Sequence, residues 1–211
     1  MSHVNTHPEI RIDYHLVNEG TKSAYLGMDP PLVILDPGHG GSDPGTVSVT
    51  GQNVIYESKQ NLLLSLTLKA ELIRVGFLVM LTRTGNALPG GVTVPADSFP
   101  YRCEAMPVSF ASVSVHHDVR TARTGGCYYN PDNPISQALA QRIARLAAGW
   151  CRPDTQSAHS SLYMVRHPRT PRCVLWEAGP LRTYPKAVNR IQKVNPVVMV
   201  LCQMALEVGV M

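Results

Sequence analysis

The sequence predicts a single α/β domain built on a mostly parallel, twisted sheet of about six strands with helices on both faces. Short apolar runs of strand type alternate along the chain with segments whose apolar residues recur at helical spacing. A strand, a helix and a second strand follow one another between residues 32 and 81, and this order favours parallel pairing of the two strands. With 211 residues and 44% hydrophobic content, the chain is long and apolar enough to bury one core.

Periodicity and cap or stop residues give the boundaries of the predicted elements. Ser58 is expected to cap the first long helix, Gly76 to end it, and Pro196 to break or kink the last helix. Residues 84–100 are rich in Gly, Pro and Asp and are expected to form a loop at the domain rim. In chain order, the predicted elements are a strand at 32–35, a helix at 58–74, a strand at 77–81, a short helix at 101–106, strands at 111–115 and 126–129, a helix at 133–150, strands at 161–165 and 173–176, and a helix at 185–208.

Residues 1–31 are expected to form an N-terminal extension to a domain that occupies residues 32–211. Apolar and polar side chains alternate over residues 10–16, as they do in a half-buried strand. We therefore expect this extension to add an edge strand to the sheet.

Composition excludes several classes of function. Charged residues make up only 16% of the chain, and its net charge of +4 is spread without a Lys/Arg block, so we expect no nucleic-acid partner. No run of about 18 apolar residues occurs, so we expect no membrane span. Residues 1–21 lack the apolar core of a cleavable signal peptide, which predicts synthesis in the cytoplasm. The five cysteines form no CxxC pair and are expected to be free thiols. We also expect the protein to be a monomer.

Three predicted strands lead into a histidine or a carboxylate. His39 follows the first strand in a glycine-rich loop, His116 follows the strand at 111–115, and Glu177 follows the strand at 173–176. Glu57, at the start of the first long helix, can lie beside the same rim, where ligands of α/β sheets gather. Two histidines and one carboxylate are a common ligand set for catalytic zinc, and a further carboxylate can take a proton from water.

Each of these residues also has a purely structural interpretation. His39 is as well explained as a loop histidine without a ligand, and Glu57 as a helix N-terminal carboxylate favoured by the macrodipole. His116 and His117 point to opposite faces of their strand, and periodicity does not choose between them. Glu177 is the hardest to explain structurally, because a charge that ends an apolar strand needs a partner. Dinucleotide, P-loop and nucleophile-elbow motifs are absent from the sequence.

Residues 33–45, Val-Ile-Leu-Asp-Pro-Gly-His-Gly-Gly-Ser-Asp-Pro-Gly, resemble the opening motif of the zinc-dependent N-acetylmuramoyl-L-alanine amidases. This family is typified by bacterial cell-division amidases and many phage endolysins. The similarity runs in the family's order from about Leu32 to the C-terminus. Further segments that resemble family motifs are Glu57 with Asn61-Leu62, Leu81-Thr82-Arg83, Ser114-Val115-His116 followed by Asp118, and Val174-Leu175-Trp176-Glu177 with Gly179.

The resemblance implies a fold, a cofactor and roles for individual residues. One zinc ion would be held by His39, Glu57 and His116, so the resemblance selects His116 over His117. Water would attack the amide between N-acetylmuramic acid and L-alanine, with Glu177 as general base and then acid. Three further residues are candidates for contact with the ligands or the substrate: Asp36, Asp118 and Arg102. Asp36 is a candidate acceptor for a ligand's ring N–H, and a structural role in the turn explains it equally well.

The resemblance also implies a peptidoglycan substrate and a bacteriolytic role. A phage endolysin that reaches the wall through a holin-made lesion fits the expected lack of a signal peptide. A toxin delivered by a secretion system and an intracellular recycling enzyme are the alternatives. The unusual loop at 84–100 leaves open a peptidoglycan-binding or regulatory module with an inactive site, and a zinc peptidase that cuts within the stem peptide is a third hypothesis.

Overall fold

The computed structural model of the chain describes residues 30–88, 102, 106–118, 125–147, 157–158, 163–166, 170–182 and 187–211. Almost all of the N-terminal extension, with its expected edge strand, lies outside these residues. So does most of the loop and short helix predicted over 84–106, of which residues 84–88, Arg102 and Met106 are described. No helix in the described ranges is long and apolar enough to cross a membrane.

The described elements alternate between strands and helices as expected. A 3₁₀ helix, Tyr163–Val165, lies between the last two strands. The longer elements in chain order are β1 Leu32–Pro37, β2 Val47–Thr50, β3 Asn53–Tyr56, α1 Glu57–Arg74, β4 Leu78–Leu81, β5 Ala111–Asp118, β6 Gly126–Tyr129, α2 Pro134–Leu146, β7 Ser157–Ala158, β8 Cys173–Pro180 and α3 Ala187–Glu207.

The main sheet has six strands in the order β4-β1-β5-β8-β6-β7. The first four are parallel neighbours, β6 runs antiparallel to β8, and β7 pairs parallel with β6. The predicted single α/β domain with a mostly parallel sheet is therefore confirmed. Because β1, β5 and β8 are parallel, their carboxyl ends lie along one edge of the sheet, with Pro37 paired to Val115 and His116 paired to Glu177.

The main core lies between the sheet and the three long helices. Leu64, Leu68 and Leu72 form one stripe of α1 and are fully buried against inward-facing residues of β1 and β5. Both α1 and α2 contact α3, so these three helices form one layer. The other face carries a smaller cluster of Ile34, Met106 and Met164, where the 3₁₀ helix contacts β8. Helices therefore cover both faces of the sheet, but the face with the three long helices carries the larger core.

Several predicted boundaries are wrong. The ladder between β5 and β8 continues through His116 and Glu177, so both strands run past their predicted ends. Tyr163–Val165 is a 3₁₀ helix rather than part of a strand. Residues 47–56, for which no strand was predicted, form the β2–β3 hairpin. Pro196 lies inside a continuous α3, because burial of that helix against its neighbours offsets the missing hydrogen bond.

The start of α1 differs from the expected Ser58 cap. Tyr56 is the N-cap residue and makes no side-chain cap hydrogen bond. Loop carbonyls take over this task, since Thr46 O accepts from the Glu57 N–H at 2.9 Å and Pro44 O accepts from the Ser58 N–H at 3.0 Å. The glycine loop is therefore tied to the first turn of α1. At the other end the helix stops before Gly76, as predicted, and Gly76 has a positive φ of 100°.

Leu68→Ala should lower the free energy of unfolding by about 2–5 kcal/mol, because it opens a cavity between α1 and the sheet. Leu66→Ala on the same helix is the matched control, since Leu66 is 41% exposed, and it should change stability by no more than about 0.5 kcal/mol. Urea unfolding followed by circular dichroism measures both. Equal losses for the two variants would contradict the assignment of the buried face of α1.

Candidate metal centre

Three side chains meet where β1 and β5 end and α1 begins: His39, Glu57 and His116. One potential ligand atom from each lies within 4.8 Å of the others. His39 Nε2 is 3.1 Å from Glu57 Oε1, and His116 Nδ1 is 3.2 Å from the same oxygen. The two imidazole rings stand edge to face with centroids 4.9 Å apart. Both histidines thus direct a ring nitrogen at one carboxylate.

The glycine loop after β1 presents His39 in a conformation that side chains rarely adopt. His39 has a positive φ of 62°, and Gly40 and Gly41 follow with φ values of 131° and 59°. Asp43 Oδ2 lies 2.7 Å from His39 Nδ1, while Asp43 Oδ1 accepts from the Gly45 N–H at 2.9 Å. An ionised Asp43 therefore favours a proton on Nδ1 and leaves Nε2 for the cluster.

Two glycines allow the loop to approach the cluster closely. A Cβ on Gly38 would overlap the imidazole of His116. A Cβ on Gly45 would lie 2.6 Å from the His39 ring and 2.8 Å from Glu57 Oε2, and this residue also has a positive φ of 62°. The close approach of the backbone to the cluster therefore requires glycine at these two positions.

Glu57 is buried at the first turn of α1 and is surrounded by donors. Its Oε2 accepts from the Thr46 N–H at 2.9 Å. Its Oε1 accepts from the His117 N–H at 3.2 Å and from Asn61 Nδ2 at 3.3 Å. Burial alone would raise the pKa of Glu57, but hydrogen bonds from His116 and His39 hold it far below its usual range. Glu57 is therefore ionised.

Contacts with two carboxylates favour the protonated form of the His39 ring. Burial disfavours the charged ring, but the hydrogen bond and charge of Glu57, with a smaller contribution from Asp43, raise the pKa of His39 to about 9. A metal ion at Nε2 would have to displace this proton, so metal binding and protonation compete at this nitrogen.

The structure distinguishes between the two consecutive histidines of β5. His116 belongs to the cluster, whereas His117 points to the opposite face and is buried beside the core. His117 Nδ1 lies 2.7 Å from Asn61 Oδ1. Burial, with the nearby charge of Lys193, lowers the pKa of His117 to about 3, so this ring is neutral.

Of the two interpretations of Asp36, the structure favours the structural one. Its carboxylate accepts from Thr82 Oγ1 at 2.6 Å, Ser114 Oγ at 2.7 Å and Arg102 Nη1 at 3.1 Å. Burial would raise the pKa of Asp36, but the Arg102 charge and the two hydroxyl groups hold it below its usual value. Asp43 instead takes the ring N–H of His39, because the loop turns His39 away from β1. An aspartate four residues after the histidine was the available signal in the sequence.

Two buried arginines hold the glycine loop by hydrogen bonds to its carbonyl oxygens. Arg83 donates to the carbonyl oxygens of Pro37 and Gly38, both at 2.9 Å, and of Ser58 at 2.8 Å. Arg102 donates to His39 O at 3.0 Å as well as to Asp36. Arg102, considered for contact with ligands or substrate, is only 2% exposed and therefore holds the loop rather than facing solvent. Sequence reasoning did not assign this role to Arg83.

Glu177 lies in β8 beside His116 in β5, and the parallel register places the two residues next to one another at the same edge of the sheet. On its other side Glu177 pairs with Gly126. Gly125 packs so tightly against this backbone that a Cβ would overlap the Glu177 carbonyl oxygen. Asp118 lies at the end of β5 opposite Pro180, beyond a register shift. The backbone that bears Glu177 is therefore fixed on both sides.

The donor set fits a divalent metal of the zinc type. Zinc in proteins takes histidine nitrogen and carboxylate oxygen, and three protein ligands leave a position open for water. Here two imidazole nitrogens and one ionised carboxylate converge, and Asp43 and Asn61 hold two of the three ligands by hydrogen bonds. This arrangement is suited to metal-assisted hydrolysis.

Comparisons with known proteins show what the chain is similar to. A family model described as N-acetylmuramoyl-L-alanine amidase matches residues 33–189, well over half of the chain. The N-acetylmuramoyl-L-alanine amidase AmiC of Neisseria meningitidis serogroup B (strain ATCC BAA-335 / MC58) is 35% identical over 102 residues. That alignment covers 46% of this chain and 22% of the relative, so it spans less than a quarter of the relative's length.

Two solved structures show the same fold. The N-acetylmuramoyl-L-alanine amidase from Clostridium difficile 630 superposes with a TM-score of 0.66 at 21% identity, covering 85% of this chain and 98% of the other. The CwlD amidase from Clostridioides difficile, solved in complex with the GerS lipoprotein, gives a TM-score of 0.64 at 19% identity, covering 84% and 99%.

Gly38→Ala should weaken zinc binding on the order of tenfold or more, because the added methyl group displaces the His116 ring. Gly85→Ala is the matched control, since a Cβ there meets no atom within 4 Å, and its zinc affinity should equal that of the wild type. Competition with a chromogenic chelator measures both affinities. Wild-type affinity in folded Gly38→Ala would show that this close approach is not required.

Chelator-treated protein should lose stability as the pH rises from about 6.5 to 9. The pKa of His39 is higher in the folded than in the unfolded chain, so its contribution is complete below the unfolded value and disappears as the pH passes the folded value. Urea unfolding at pH 6 and pH 9 measures the change. His39→Gln should flatten this dependence, and an equally steep loss in that variant would assign it to other groups.

Proposed function

The chain belongs to the N-acetylmuramoyl-L-alanine amidase family, and we propose that it hydrolyses the amide bond between N-acetylmuramic acid and the L-alanine of the stem peptide in peptidoglycan. The observation that supports this most strongly is the convergence of His39, Glu57 and His116 at the sheet edge where β8 places Glu177. The family match and the donor set thus support the same type of reaction.

We propose zinc as the cofactor, one ion per chain, held by His39 Nε2, one oxygen of Glu57 and His116 Nδ1. When bound, zinc supplies a water of lowered pKa and polarises the scissile carbonyl. The chain's part is to hold these ligands in place. Asp43 keeps the His39 proton on Nδ1, and burial with surrounding donors keeps Glu57 ionised.

Glu177 is the proposed general base. Its carboxylate would accept the proton of the attacking water and pass it to the nitrogen of the leaving L-alanine. A C–O bond forms at the lactyl carbonyl carbon as the C–N bond breaks, so the products are a free lactyl carboxylate and a free amine. The pairing of Glu177 with His116, and the contact of Gly125 with the Glu177 backbone, support this role.

Substrate can approach the cluster from solvent. The side chains of His39 and His116 are 23% and 13% exposed. This supports a constitutively open enzyme. We further propose a bacteriolytic role of the endolysin type for a monomer, for which the net charge of +4 is favourable, because wall polymers are commonly anionic.

The biological part of the proposal has its own test. The purified protein should lyse permeabilised bacteria, and light scattering during size-exclusion chromatography should give the mass of one chain. Wall digestion without lysis would favour a recycling role over a lytic one. A stable dimer would contradict the monomer.

The proposed reaction predicts that purified protein, incubated with purified sacculi, releases glycan ends with free lactyl groups and peptides with a free N-terminal L-alanine. Chelation should abolish release and added zinc should restore it. Mass spectrometry of the fragments measures the bond that is cut. Cleavage within the stem peptide would favour the zinc-peptidase hypothesis, and binding without products would favour the inactive wall-binding module.

In the same assay Glu177→Gln should keep its zinc but lose about 10²–10⁴-fold in turnover, the typical contribution of general acid–base catalysis. Glu207→Gln is the matched control, because it makes the same chemical change at an exposed residue of α3 that pairs with Arg142. Glu207→Gln should digest sacculi at the wild-type rate. A wild-type rate for Glu177→Gln would remove Glu177 from the mechanism.

A further inference from the structure

A buried polar pair lies behind the proposed metal centre: Asn61 of α1 and His117 of β5. Asn61 is fully buried and His117 is 2% exposed. They come from two elements that meet at the core, and neither belongs to the cluster of His39, Glu57 and His116. Buried polar groups are costly unless their hydrogen bonds are made, so this pair needs an explanation.

The amide of Asn61 connects three parts of the site. Its Nδ2 donates to Glu57 Oε1 at 3.3 Å and to Gly38 O at 3.2 Å. Its Oδ1 lies 2.7 Å from His117 Nδ1. One amide therefore contacts the buried carboxylate, the glycine loop and the second histidine of β5. Because Asn61 follows Glu57 by four residues, the helix places both side chains on one face.

The directions of these hydrogen bonds determine the His117 tautomer. Both partners of Nδ2 are oxygen atoms that only accept, so the NH₂ group must face them. The amide oxygen, in turn, only accepts, so His117 Nδ1 must carry the proton. If the amide turned over, its oxygen would face the Glu57 carboxylate and the Gly38 carbonyl, which would repel it. The N–H of His117 adds a third hydrogen bond to this amide orientation and so favours it further.

We infer that Asn61 and His117 are a positioning pair, in which His117 orients the Asn61 amide and Asn61 holds Glu57 and Gly38 in the geometry that the metal ligands need. The His117 ring acts on Glu57 through the His117–Asn61 and Asn61–Glu57 hydrogen bonds, and it contacts neither the metal nor the substrate. Its backbone N–H supports the same oxygen, Glu57 Oε1, at 3.2 Å. This inference rests on the proposed metal centre and assigns a function to the histidine that does not join it.

The test compares two substitutions of His117 by direct zinc binding, measured by chelator competition. His117→Leu removes the donor and should weaken zinc affinity by about 10–100-fold, as loss of a hydrogen bond behind a ligand typically does. His117→Asn returns an N–H donor near the position of Nδ1 and should restore affinity to within about threefold of the wild type. Absorption spectra of the cobalt-substituted proteins should show an altered site in His117→Leu and a wild-type-like site in His117→Asn.

A control variant separates positioning from general destabilisation. Val113→Ala removes a buried side chain from the same face of β5 and should lower the unfolding temperature of metal-free protein while zinc affinity stays unchanged. A measurement on the wild-type protein does not depend on the folding of any variant. Imidazole ¹⁵N chemical shifts should show His117 neutral and protonated on Nδ1, and a proton on Nε2 would overturn the inference.

Zinc binding by the wild type and the His117 variants separates a failure of the positioning pair from a failure of the metal centre. If wild-type protein binds zinc and folded His117→Leu binds it equally well, the positioning pair is overturned and the metal centre stands. Equal weakening in His117→Leu and His117→Asn also overturns the pair, because the donor would then have no part in it. If the wild-type protein binds no zinc, the metal centre fails and the pair's role fails with it.

Discussion

An ionised carboxylate buried at the start of α1 is the constraint on which the rest of the site depends. Glu57 is 4% exposed, and a buried charge of this kind is stable only if donors or cations surround it. Its partners come from the glycine loop, from the residue before β2, from α1 itself and from both histidines of β5. The fold must therefore bring these segments together before the charge can be buried.

The conformation of the glycine loop also depends on the buried charge of Glu57. His39 reaches Glu57 only with a positive φ, which costs conformational energy in a residue with a side chain. Arg83 and Arg102 offset this cost by binding the carbonyl oxygens of Pro37, Gly38 and His39 from beneath. The arginines lie close enough together that, after burial, the charge of Arg102 contributes to lowering the pKa of Arg83 to about 10. Asp36 compensates part of this positive charge, which explains why its oxygens are not available to a histidine ring.

Sequence reasoning succeeded where one local pattern decides the outcome. Apolar residues at helical spacing predicted α1, although they did not identify its buried stripe of Leu64, Leu68 and Leu72. The apolar runs of β1, β5 and β8 predicted a parallel sheet whose ends meet. It failed where the outcome depends on contacts between segments that are distant in the sequence. The cap of α1 comes from Pro44 and Thr46 in a loop, which no capping pattern around Ser58 reveals. From the sequence, only Asp36 was considered as the acceptor for a ligand's ring N–H, and the path of the loop places Asp43 against His39 instead.

The two consecutive histidines of β5 show how one strand meets two requirements. Side chains alternate along a strand, so His116 turns to the rim while His117 turns to the core. A charged ring beside the core would be costly, and His117 is accordingly neutral. A neutral ring in that position still has one N–H to donate, and the Asn61 amide oxygen accepts it. The sequence alone could not separate the two residues, because the distinction depends on what α1 presents to each face. Once Asn61 and Glu57 lie one turn apart on that helix, the alternation of the strand assigns each histidine to its own partner.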